Sequence, residues 1–176
     1  MLPSIDLRIQ NLVKALVEVV LPALPPTERL ARDQAALVVG HLRMIAEQWK
    51  FALRFESQSL DHLLDLAGNL AAADVPMGAE LRRRLAASVA KFRSTDRADG
   101  NAIETAIIDI GADIDQVIQG DGTESRIPAE LMRLVLQYGA IQARRERTWF
   151  QGNMLDPGRA GLPSIAEMLA EGAAKT

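Results

Sequence analysis

His41 stands seven residues after Gln34 and seven before Gln48, an interval that keeps all three on one side of a helix. Leu30, Leu37, Val38, Ile45, Ala52 and Phe55 fall on the same side, so an imidazole and two amides share an apolar arc. Towards the other end of the chain, Tyr138, Gln142 and Arg145 lie within an arc set by Leu131, Leu134, Val135, Ile141 and Trp149, while Arg133, Arg144 and Arg147 point away from it. Glu146 borders that arc. A guanidinium placed there needs a carboxylate, a cluster of carbonyls, an aromatic face or a bound anion. Because an unsatisfied buried polar group costs about 1 to 3 kcal/mol, Gln34, His41, Gln48, Tyr138, Gln142 and Arg145 are expected to find one another.

Two chemistries fit such a set. One is a structural polar layer, or a polar seam in a dimer, that specifies packing without binding anything. The other is a pocket between the second and sixth helices for a small anionic ligand, with Arg145 as its anchor and His41 as a donor. Were the pocket catalytic, His41 would be the general base, with Tyr138 or Gln48 orienting the substrate. A lone imidazole on an apolar face more often satisfies a core hydrogen bond, so no catalytic residue is assigned.

Other chemistries fail on inventory. The chain has no cysteine among its 176 residues, which excludes disulfides, thiolate metal sites and a cysteine nucleophile and fits a reducing cytoplasm. His41 and His62 lack a glutamate three residues earlier, so a di-iron bundle is not expected; Asp109, Asp113, Asp115 and Asp121 lack calcium-loop spacing and are expected to form a solvated acidic flank. No metal or cofactor is expected. Twenty basic and 23 acidic residues give a net charge of -3, with no electrostatic reason to expect nucleic acid or an anionic membrane as partner. The run 82-RRR-84 fans around a helix without interleaved aromatics and is expected to face water. The glycines of 120-GDGTES-125 follow no strand and lack the lysine of a phosphate loop. The apolar segment 5–21 is broken by Asp6, Arg8, Lys14 and Glu18, and reads as an amphipathic packing helix rather than a membrane span or signal peptide.

Helical periodicity recurs from end to end without strand alternation, which predicts a single-domain all-α bundle of six main helices and a short C-terminal one. The first helix, 5–21, is capped by Ser4 and stopped by 22-PALPP-26. The second, capped by Thr27, is expected to run to about Glu56 as a long spine. A third follows 57-SQS-59 and ends before Pro76; a fourth covers about 78–93. The fifth, about 101–119, carries Ile103, Ile107, Ile110, Ile114 and Ile118 and is closed by glycine in 120-GDGTES-125. Pro128 opens the sixth, which reaches about Gln151. After the irregular 152-GNMLDPGRAGLP-163, the capping box of Ser164 and Glu167 starts a last helix at about 165–172.

The stretch 12-LVKALVEVVLPAL-24, Arg32 and 41-HLRMIAEQWK-50 is similar in outline to an uncharacterised bacterial helical family encoded near acyl-CoA dehydrogenase and phosphotransferase-like genes. The resemblance covers the first 50 residues and implies a bacterial accessory protein rather than a stand-alone enzyme. With long amphipathic helices and no catalytic inventory, the expected role is a non-enzymatic intracellular module that self-associates and contacts another protein of its pathway.

Overall fold

A computed structural model describes residues 4–75, 77–119 and 127–173. Every regular element among them is helical, as the periodicity predicts. The elements are α1 (Ile5–Ala15), continued by a π-helical turn (Leu16–Val20) into α2 (Leu21–Ala23), then α3 (Arg29–Gln48), α4 (Ala52–Ala72), α5 (Ala79–Phe92), α6 (Gly100–Gln119), α7 (Ala129–Trp149) and α8 (Ile165–Ala173). Short 3₁₀ turns at Gln151–Asn153 and Arg159–Gly161 lie between α7 and α8. The chain gathers into two compact units, Met1–Phe51 with Arg147–Ile165, and Ala52–Glu146 with Ala166–Thr176.

In the first unit, Ser4 caps α1 by accepting from the Leu7 amide at 3.3 Å. The first helix outlasts its expected end at Leu21. It passes through Pro22 and stops at Leu24, whose extended backbone (ψ 125°) is what a residue before proline prefers. Just upstream, the Leu21 amide reaches back five residues to the Leu16 carbonyl, the widened register of a π turn. Arg32 closes this end, donating to the Leu21 and Leu24 carbonyls at 3.1 and 2.9 Å. Of the side chains expected to pack on one face, Ile9 is buried, Val13 and Leu16 are half-buried, and Ile5, Leu12, Val19 and Val20 remain exposed.

The expected 27–56 spine is two helices. α3 starts at Arg29, not after Thr27, and ends at Gln48, and the chain turns tightly with the Phe51 amide on the Gln48 carbonyl at 2.8 Å. No glycine or proline makes this break. Tertiary bonds hold it: Gln48 donates to the Trp149 carbonyl at 2.7 Å, Trp49 donates from its indole to Asp6 at 2.9 Å, and Lys50 pairs with Asp6 at 2.7 Å. The Lys50 and Trp49 bonds hold the Asp6 carboxyl below its ordinary range. The 152–163 segment is pinned by the fork of Arg147 on Asp156 (2.7 and 3.2 Å) and by the Gly158 amide on the same carboxylate.

In the second unit, α4, α5 and α6 form the core. Leu60, Leu70, Leu85, Ile103 and Ile110 are sealed from solvent, each such side chain contributing about 1.5 to 3 kcal/mol by leaving water. Leu131 on α7 is buried in the same core, with Leu134, Val135 and Tyr138 packed against it. α4 runs unbroken through 57-SQS-59, because Ser59 turns its hydroxyl back onto the Phe55 carbonyl four residues earlier (2.9 Å) instead of competing for the backbone. Asp99 caps α6 through the Asn101 and Ala102 amides. Pro76 and 120-GDGTES-125, expected to end the third and fifth predicted helices, lie outside the described residues.

The arginine run at 82–84 divides its labour rather than simply facing water. Arg82 binds the carbonyls of Ala71, Ala73 and Val75 at 2.5 to 3.1 Å and so closes the end of α4. Arg83 pairs with Glu80, and Arg84 reaches Asp113 at 2.6 Å. Asp113 is therefore no solvated flank residue: it is buried, and Ser88 also donates to it.

Candidate functional site

Arg145 is the most deeply buried charge of the expected set, 5% exposed on α7. Its guanidinium donates to the Phe55 carbonyl at 3.1 Å, the Ser59 hydroxyl at 3.3 Å and the Gln58 amide oxygen at 3.1 Å, and it stacks 4.7 Å from the Phe55 ring centre. Helical spacing explains why one segment supplies all of these acceptors. Residues 55, 58 and 59 lie at i, i+3 and i+4 along α4 and present a common face. Gln58 then donates to the Leu169 carbonyl at 2.8 Å, beside Arg54 at 3.0 Å, which ties α8 to α4. Gly172 leaves room for that bond, since a Cβ there would stand 2.8 Å from the Gln58 amide oxygen.

All three acceptors are neutral. The charge is balanced at longer range by Glu146 and Glu56, yet burial dominates and draws the Arg145 guanidinium below its ordinary value. Burial also raises the Tyr138 hydroxyl. Glu56, on the exposed side of α4, is raised first by partial desolvation, then by the nearby Glu146 and Glu104 carboxylates, with Arg145 opposing. Gln142 donates to Glu146 at 3.0 Å, while its amide oxygen and the Arg145 Nε are buried without a hydrogen-bond partner. An anion approaching Arg145 would meet two terminal nitrogens already engaged by α4 and the fields of these carboxylates, so the cluster is better suited to holding helices together than to taking a negative ligand.

Tyr138, Gln142 and Arg145 thus come together in the second unit. In the first, Gln48 is buried on Trp149, but Gln34 and His41 are exposed, as are Leu30, Leu37, Val38 and Ile45 beside them. Their shared arc exists as the spacing predicts, but within the first unit no described element covers it beyond Gln48. Arg144 and Arg147 are exposed, as expected, with Arg147 engaged by Asp156. Sequence reasoning missed Gln58 and Ser59 because it placed them in a loop; the signal available was their i+3 and i+4 relation to Phe55. Among the described residues, no group of three or more histidine or acidic side chains is arranged to hold a metal, and no helix is long and apolar enough to cross a membrane.

No family model, curated protein or solved structure matches the chain.

Two outcomes test this geometry. Arg145→Met removes donors from neutral acceptors without stranding a carboxylate, so it should cost about 2 kcal/mol in denaturant unfolding, whereas breaking a buried ion pair costs about 3 to 5 kcal/mol. Arg144→Ala, on the exposed side, should stay within about 0.5 kcal/mol. Glu56 supplies the pH arm. A carboxyl raised above 4.5 in the folded chain favours folding in its protonated form, an advantage complete below pH 4.5 and lost as pH rises through the folded value. Glu56→Gln should accordingly raise the melting temperature at pH 7, with the gain vanishing below pH 4.5.

Proposed function

We propose that the chain is a non-enzymatic interaction module of a bacterial cytoplasm that self-associates and acts as accessory to another protein of its pathway. One observation carries this reading. Leu30 (74% exposed), Leu37 (51%), Val38 (47%) and Ile45 (45%) line one side of α3, the side that the hydrophobic period marks for packing. Single exposed leucines need no explanation, whereas a contiguous apolar row framed by polar residues is the usual form of a protein interface.

The absence of cysteine fits a reducing compartment, and the likeness of the first 50 residues to a bacterial helical family fits an accessory role. A small-anion pocket anchored by Arg145 is the weaker reading, because that guanidinium already serves Phe55, Gln58 and Ser59. Multi-angle light scattering across a hundredfold concentration range is expected to give a mass of at least twice the 19.2 kDa chain. A monomer at every concentration overturns self-association.

A further inference from the structure

We draw no further inference here: the strongest candidate, the apolar face of α3 that carries Leu30, Leu37, Val38 and Ile45, belongs to the self-association reading already given, and nothing in the structure shows what covers it.

Discussion

A guanidinium buried on neutral acceptors is the constraint around which the larger unit is arranged. Arg145 cannot shed its charge, so its place on the inner side of α7 dictates what α4 must show it: a carbonyl, a hydroxyl, an amide oxygen and a ring face. Those groups can coincide only if α4 is helical through 57-SQS-59, which fixes the phase of the leucines that follow. Gln58 then extends the arrangement to α8 through the Leu169 carbonyl. One side chain thereby sets the register of three helices, with no carboxylate in direct contact and so little of the penalty for burying a second charge.

The same device recurs at helix ends. Arg32 takes the terminal carbonyls around α2, and Arg82 takes those after α4, positions where helices more often close on a glycine. Each of these arginines sits 7 to 11 residues beyond the carbonyls it binds, on the first two turns of the next helix. Turn and cap are therefore stabilised together. By contrast, α3 spends its apolar residues outward. Val39 and Gln48 are its buried positions, and the leucines that would normally form its core face are open to solvent.

Legibility in the sequence followed the range of the determining contact. The limits of α5 and α6 were readable because period and cap are local: Ile103 and Ile110 mark the buried side of α6, and Asp99 supplies its first amides with an acceptor. The break at Trp49–Phe51 was not, since its partners lie 43 and 101 residues away and no local breaker announces it. Ser59 misled for a related reason: serine favours loops until a back-bond to its own helix removes the competition. The inward direction of Arg145 followed from helical phase, but a backbone carbonyl as its acceptor leaves no trace in residue type. For α3, periodicity told which residues share a side. It could not tell whether anything covers that side.

Coupling between Arg145 and Gln58 tests the central claim most directly, because it isolates the pair from the separate cost of altering either residue. In a double-mutant cycle of Arg145→Met and Gln58→Leu, followed by denaturant unfolding, the two changes should fall short of additivity by at least about 0.5 kcal/mol, as residues in one hydrogen-bonded network do. Strict additivity would mean that the guanidinium does not organise α4, α7 and α8, and would contradict the account.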